Sequence, residues 1–456
     1  MPAAARGVWP DPDRMLCAGR SAGTVSPCPD TASAGVAQRL YLGDVTTYSA
    51  VVTTGIYCRP GCGARPLAEN VRTFELAASA EAAGFRACLR CRPYRVASPI
   101  ASGAPELVCR AVQLIIDGVL DSGSEAALGA RLAVSPRHLR RIFNDHLGVT
   151  PDQLARSRRA HFARRLLDDT DLTVADVAFA SGFASIRQFN RQMCEVFRAS
   201  PSKLRDRRRR TDRLAADGGL TMRLPFEPPF EWDAMAAFFA GLAVPGVESV
   251  SGRVYRRTIS LDGAPGVLEV HPGGAGYLLL RAHLPYWEGL IHVAERASRM
   301  VGADVGSAVR APGAWGPFEA AAQAIVAQEC DDPREARRQL GGIVRRFGPC
   351  IPGLTHGLTH LFPSAEVLAA GDLAGLDLPP ATVKSLTSLA AAVASGDIVL
   401  DHAVKTADLV TSLTAVTGVQ LTTAHQFALR LGARARPRHP SETSISWQPR
   451  VRDRPS

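Results

Sequence analysis

The sequence predicts a multidomain α+β protein: a small cysteine-clustered module, an all-α segment with two helix-turn-helix units, a β-rich segment and a helical C-terminal core. Three observations predict it. Cys58, Cys62, Cys88 and Cys91 follow the order C-x3-C, a gap of 25 residues, then C-x2-C. Two close pairs joined by one loop can converge on a single tetrahedral ion, and soft thiolates favour zinc. Two stretches, 125–143 and 174–191, each show a short apolar-periodic helix, a turn and a second helix with a serine at its start. From Leu220 the sequence turns apolar and rich in Gly and Pro, with strand-like runs at Val267–Val270 and Tyr277–Leu280.

Length and charge bound the reading. A chain of 456 residues has room for about three domains. Residues 1–40, rich in Ala, Pro, Gly and Ser, read as a disordered tail. The zinc module is expected over 41–98, the helix-turn-helix domain over 99–210, the β-rich domain over 219–290 and the helical core over 291–456. The net charge is +10 and the pI near 9.4, so the expected partner is a polyanion. From Arg137 to Arg210 there are 17 Lys and Arg against eight Asp and Glu, so nearly the whole excess sits in one stretch. Clustered cysteines fit metal ligation in a reducing cytoplasm. Cys17, Cys28, Cys109, Cys194, Cys330 and Cys350 show no ligand spacing and read as free thiols. No apolar run reaches membrane-spanning length, so a soluble, cytoplasmic protein without a membrane partner is expected.

The context of the cysteines sharpens the zinc assignment. Thr53-Thr54-Gly55-Ile56-Tyr57-Cys58-Arg59-Pro60 and Gly84-Phe85-Arg86-Ala87-Cys88-Leu89-Arg90-Cys91-Arg92-Pro93 resemble the zinc module of the bacterial Ada family, which repairs methyl phosphotriesters in DNA. The likeness is clear from Val52 onward, so an altered opening strand is expected. The resemblance implies that Cys58 is both ligand and methyl acceptor, and that Thr54, Arg65 and Arg86 touch the damaged phosphate. Zinc-bound cysteine is a thiolate and therefore a nucleophile. Four thiolates on one divalent ion leave a site charge of minus two, which methylation of one sulfur reduces to minus one; DNA would then be repelled less. Seven Arg, no Lys and three Glu between Cys58 and Arg95 suit a phosphate surface. A purely structural zinc knuckle is the alternative.

In the helical segment, Ser135 and Ser185 can cap second helices, Pro136 suits a first helical position, and Gly182 supplies a tight turn. With the ending Phe197-Arg-Ala-Ser-Pro201-Ser-Lys-Leu204 the segment resembles the AraC-type DNA-binding domain. Two such units about one DNA turn apart read successive major-groove faces. Arg137, His138, Arg140 and Arg141 on one recognition helix, and Arg187, Gln188 and Arg191 on the other, are the expected contacts with promoter DNA. For a single Arg, a phosphate contact is the bland alternative to a base contact. Leu139, Ile142, Phe143, Ile186 and Phe189 are expected in the core. Arg207 to Arg210 reads as a solvated linker or a nonspecific DNA clamp. RNA polymerase is a further expected partner of such a regulator.

Pro225-Phe226-Glu227-Pro228-Pro229-Phe230-Glu231-Trp232, Pro312-Gly-Ala-Trp315-Gly-Pro-Phe318-Glu319 and Leu358-Thr-His-Leu-Phe-Pro363 resemble bacterial 3-methyladenine DNA glycosylase II. The resemblance implies a β-rich, TBP-like subdomain and a helix-hairpin-helix core that excises alkylated purines from DNA. It covers about residues 220–445. Its hairpin, usually Pro-Gly-Ile-Gly-x-Trp-Thr-Ala, here reads Thr417-Gly418-Val419-Gln420-Leu421-Thr422-Thr423-Ala424. Gly418 is kept as the DNA-binding glycine, whereas Gln420 would stand in a backbone conformation that suits glycine. The family's catalytic aspartate has no counterpart; an ungapped register places Glu442 there, one methylene longer. A guanine-O6 methyltransferase is not supported, because neither Pro27-Cys28 nor Pro349-Cys350 continues into the required His-Arg. Three functions stay open: methyl acceptor and regulator, primarily a glycosylase, or a zinc-dependent transcription factor without catalysis.

Overall fold

A computed structural model describes residues 47–96, 104–215, 218–303 and 312–431. The expectations for residues 1–40, Cys17, Cys28 and Glu442 lie outside the described residues.

The first sheet has β1 (Tyr48–Val51), β2 (Ile56–Cys58), β3 (Val71–Phe74) and β4 (Arg86–Ala87) in the order β3-β1-β2-β4, with α1 (Ala77–Ala82) packed on it. The opening strand, where an alteration relative to the family is expected, is described from Tyr48 onward. There β1 is regular, buries Tyr48 and Ala50, and pairs antiparallel with β2 in the register Ser49↔Cys58. Period-two burial, rather than a recognisable motif, keeps that strand in place.

The helical segment comprises α2 (Glu106–Ile116), α3 (Val119–Ser122), α4 (Glu125–Arg131), α5 (Pro136–Leu147), α6 (Pro151–Asp169), α7 (Val174–Ala180), α8 (Ile186–Phe197) and α9 (Pro201–Asp206). Its boundaries are chemically enforced. Ser124, Ser135, Thr150, Thr173, Ser185 and Ser200 each accept a backbone N–H from the first turn of the helix they start. Each such cap contributes about 1 kcal/mol. Gly182 turns with φ 78°, and a Cβ there would lie 2.6 Å from the Asp121 carboxylate. Leu139, Phe143 and Phe189 are buried as expected, but Ile186 is 42% exposed. It occupies the first position of α8, where the side chain clears the core.

A second sheet follows: β5 (Leu220–Pro225), β6 (Glu248–Ser251), β7 (Val254–Leu261), β8 (Ala264–Gly274) and β9 (Tyr277–His283), ordered β5-β9-β8-β7-β6 and antiparallel throughout. The helix α10 (Trp232–Leu242) crosses between β5 and β6. The remaining helices are α11 (Leu290–Met300), α12 (Pro317–Gln328), α13 (Pro333–Phe347), α14 (Ala365–Ala370), α15 (Pro380–Ser395), α16 (Thr406–Thr417) and α17 (Leu421–Arg430). One apolar core runs unbroken from Tyr48 through α6–α9 and the second sheet to Trp315; α12–α17 enclose another.

Charged contacts tie these parts together. Asp168 and Asp169, 0% and 2% exposed, end α6. Arg95 lies 3.1 Å from Asp168 and 3.3 Å from Asp169. Arg164 lies 2.6 Å from Asp168, the Tyr94 hydroxyl donates to Asp168 at 3.0 Å, and Arg223 of β5 pairs with Asp169. Asp212 completes the cluster, accepting from Arg92 at 2.7 Å. The run Arg207–Arg210 is therefore not a free linker throughout: Arg208 donates to the Thr170 carbonyl at 2.9 Å and to Asp171 at 2.8 Å. Elsewhere, Arg110 reaches the carbonyls of His402 and Ala403, and Arg131 pairs with Asp401.

Arg92→Ala should cost about 1–3 kcal/mol, because Asp212 loses its 2.7 Å donor in a buried site while Arg95 stays 3.2 Å away. Asp169→Asn should cost less, since burial already holds the Asp169 carboxyl above its ordinary range despite Arg223 and Arg95. Denaturant unfolding of both variants checks the order. A pH effect is also expected at His292, whose Nδ1 faces the Ile116 carbonyl at 2.9 Å and Nε2 faces Asp121 at 2.6 Å. Two acceptors require an imidazolium; burial opposes it, but Asp121 raises the pKa above its ordinary value. The stabilisation is thus complete below about pH 6.5 and is lost as the pH rises through the raised value. The melting temperature of the wild type should fall more steeply above that pH than that of His292→Gln, and parallel profiles would refute the assignment.

Candidate metal centre and nucleic-acid interface

The four cysteines converge although they come from two separate segments of the chain. Cys58 ends β2, and Gly61, at φ 73°, turns the chain back so that Cys62 faces it. Parallel pairing of β4 with β2 brings in the second pair, with the Cys88 N–H donating to the Tyr57 carbonyl at 3.0 Å. All four Sγ atoms lie within 4.8 Å of one another. A tetrahedral zinc with bonds of about 2.3 Å needs sulfurs about 3.8 Å apart, a separation compatible with this clustering.

The electrostatics fit a divalent ion. Burial and the neighbouring sulfurs push the Cys58 thiol far above its ordinary value, and burial pushes Cys91 up to about 12. Burial opposes ionisation of Cys88 too, but backbone N–H donors from Cys91 and Arg90 bring its thiol below the ordinary value. Four sulfurs this close cannot all ionise beside one another without a cation. The cluster is a zinc site.

Cys58 is only 6% exposed. Thr54 is exposed in the β1–β2 turn, Arg65 is exposed in the loop beyond Cys62, and Arg86 is half-buried on β4. The Arg86 N–H donates to the Gly55 carbonyl at 2.9 Å, so Arg86 and the Thr54 turn lie together, while Arg65 arrives from a separate loop. Sequence reasoning missed the residues behind the site. Tyr57, fully buried, donates to Glu81 at 2.6 Å and lies 3.2 Å from His161 of α6. No spacing announces this triad; only the packing of α1 on α6 creates it.

The recognition helices present the expected residues unequally. Arg137, Arg140 and Arg141 on α5 and Arg187 and Arg191 on α8 are exposed, whereas His138 and Gln188 are half-buried. Arg140 pairs with Glu125, and Arg141 lies 3.2 Å from His138 Nδ1. Arg191 is 3.9 Å from Glu195. Arg137 and Arg187 have no ion-pair partner among the described residues. At the α16–α17 hairpin, Gly418 takes φ 68°. The strain expected at Gln420 is absent: it adopts φ −63°, ψ 146° and precedes α17 in ordinary extended backbone. Its N–H donates to the Gln328 side chain at 2.9 Å, and the Val419 N–H to Thr417 Oγ1 at 3.3 Å.

The zinc should bind in a ratio of one per chain. Cys62→Ser should release it and unfold the first sheet, since metal binding supplies much of the folding energy of so small a module. Metal analysis with circular dichroism checks this; full zinc retention in Cys62→Ser/Cys88→Ser would overturn it.

The comparisons with known proteins follow this layout. The metal binding domain of Ada matches residues 41–94, a helix-turn-helix domain matches 128–207, and the AlkA N-terminal domain matches 221–311. The chain is 36% identical over 411 residues to the probable bifunctional transcriptional activator/DNA repair enzyme AlkA of Mycobacterium tuberculosis, across 84% of this chain and 82% of that one. It is 34% identical over 158 residues to the bifunctional transcriptional activator/DNA repair enzyme Ada of Escherichia coli, across 34% of this chain and 43% of that protein. Among solved structures, the methylated N-ADA/DNA complex matches at 36% identity, over 27% of this chain and 93% of that chain, with a TM-score of 0.11. No described helix is long and apolar enough to cross a membrane. With a four-cysteine zinc site, paired helix-turn-helix units and an AlkA-type sheet in one chain, and a relative alike across most of its length, the protein belongs to the family of bifunctional transcriptional activator/DNA repair enzymes.

Proposed function

We propose that this chain takes a methyl group from a DNA methylphosphotriester onto Cys58 and responds by binding promoter DNA. The observation that carries the reading is Cys58 itself, one of four converging sulfurs, at the end of a strand flanked by exposed arginine and threonine. Zinc, when bound, keeps the Cys58 sulfur a thiolate at neutral pH. The Cys58 Sγ attacks the methyl carbon; the S–C bond forms, the C–O bond breaks, and its electron pair stays on the phosphate as a diester anion. Arg65 and Arg86 neutralise the phosphate, and Thr54 supplies a hydroxyl donor. The sulfur has no route back from thioether, so each chain acts once.

Methylation leaves the site one negative charge poorer, which favours the approach of DNA phosphates. Arg137 and Arg187, free of carboxylates, are the residues best placed for base readout on α5 and α8. His138, Arg140, Arg141, Gln188 and Arg191 serve positioning. As an activator the chain would engage RNA polymerase.

A second reading, excision of alkylated bases, is favoured by the AlkA-type sheet and the hairpin at Gly418. The internal capping of the Val419 and Gln420 amides weighs against it, since these donors would otherwise grip a phosphate. We assign the C-terminal helices a scaffolding role, with Glu442 as the one candidate for residual excision. One experiment separates the readings: incubate the zinc-loaded chain with methylated duplex, then weigh the protein and assay free base. The expected result is a single methyl increment on the Cys58 peptide, absent in Cys58→Ala, with 3-methyladenine release at background. Release that Glu442→Gln abolishes and Glu442→Asp raises tenfold would install the excision reading instead.

A further inference from the structure

A cavity of about 610 Å³ lies where the zinc module, the end of α6 and the β5–β9 edge meet. Seven arginines and three carboxylates line it, an excess of four positive charges. Arg92, Arg95 and Arg223 are held by the buried aspartates described above and supply shape more than free charge. The others differ. Arg59, Arg90 and Arg209 are exposed and have no ion-pair partner among the described residues. Arg165 carries a buried Nε that makes no hydrogen bond. Tyr277 and Phe226 add aromatic walls, and the Arg223 guanidinium lies 5.2 Å from the Tyr277 ring centroid. Cys91 is part of the lining, and Arg59 directly follows Cys58, so the cavity adjoins the zinc cluster.

Arginine forks with spare donors beside aromatic faces recognise a phosphate carrying a nucleobase. The volume falls within the roughly 300–1,000 Å³ typical of small-ligand sites. We propose that this cavity is a nucleotide subsite that takes a phosphate and its base from the DNA strand running past Cys58. The β-sheet domain thereby helps to hold DNA at the methyl acceptor. Arg59, Arg90 and Arg209 grip the phosphate, and the Tyr277 ring, covered on one face by the Arg223 guanidinium, packs against the base. Three of these four side chains are widely separated in sequence and come from different domains, so the subsite exists only in the assembled chain.

The proposal rests on the methyl-acceptor reading for the position of the strand. Its test uses the full zinc-loaded chain, a labelled duplex carrying one methylphosphotriester, and Arg209→Glu, Arg209→Lys and Tyr277→Ala, all outside the zinc module. Zinc content and melting temperature confirm folding. Arg209→Glu should weaken duplex binding about tenfold and make the dependence of log K on log salt shallower by about one. Arg209→Lys should stay within about twofold of wild type, and Tyr277→Ala should lose several-fold affinity with the salt slope unchanged. Wild-type affinity in folded Arg209→Glu and Tyr277→Ala would overturn the proposal. So would saturable binding of dAMP that Arg209→Glu abolishes while duplex affinity holds, since that assigns the cavity to free nucleotides. Methyl uptake by the wild type is followed on the same samples. Its failure would sink the acceptor reading, whereas uptake with unchanged variant affinities sinks only the subsite.

Discussion

Two adjacent carboxylates, Asp168 and Asp169, set the constraint on which this assembly depends. They sit in the last turn of α6, where the helix dipole disfavours negative charge, and both are buried. Each ion would cost several kcal/mol without compensation. The compensation arrives from three places: Arg92 and Arg95 from the segment after the last zinc ligand, Arg164 from α6, and Arg223 from β5. None of these parts can withdraw without stranding charge. The cluster thus fixes the register in which zinc module, helix-turn-helix domain and β-sheet meet.

The same junction places the zinc cluster close to the helix-turn-helix domain. Cys91 is followed at once by Arg92, and Tyr57, the neighbour of Cys58, binds Glu81 beside His161 of α6. The helix α6 also packs against α7, α8 and α9. A change of charge or position at the metal cluster therefore meets a rigid polar contact one residue away. The methyl-acceptor reading thus has a continuous chain of packed contacts from the cluster to the recognition helices.

The C-terminal helices take a different path. Their hairpin keeps Gly418 in the left-handed conformation, yet the amides that follow bond to Thr417 and Gln328. Their loop 401–406 meanwhile binds Arg110, Arg131 and Glu106 of the helix-turn-helix domain. Donors turned inward and a loop spent on docking suit a scaffold better than a DNA grip.

The sequence by itself determined the local features. Cysteine spacing located the zinc ligands, because tetrahedral coordination admits few spacings. Ser135, Ser185 and Gly182 marked helix starts and a turn, because caps and left-handed backbone are satisfied by residues a few positions away. Even so, local rules misjudged Ile186 and Gln420: a helix-start side chain still faces solvent, and an extended residue removes the need for glycine. Only the tertiary structure decided which arginines are free. Arg140, Arg208 and Arg223 look like Arg137 and Arg187 in the sequence, but their partners lie 15 to 54 residues away in the chain. Long-range pairing leaves no periodic trace. The Tyr57–Glu81–His161 triad and the arginine-lined cavity are invisible for the same reason: they are properties of surfaces that meet, and no single segment carries either surface.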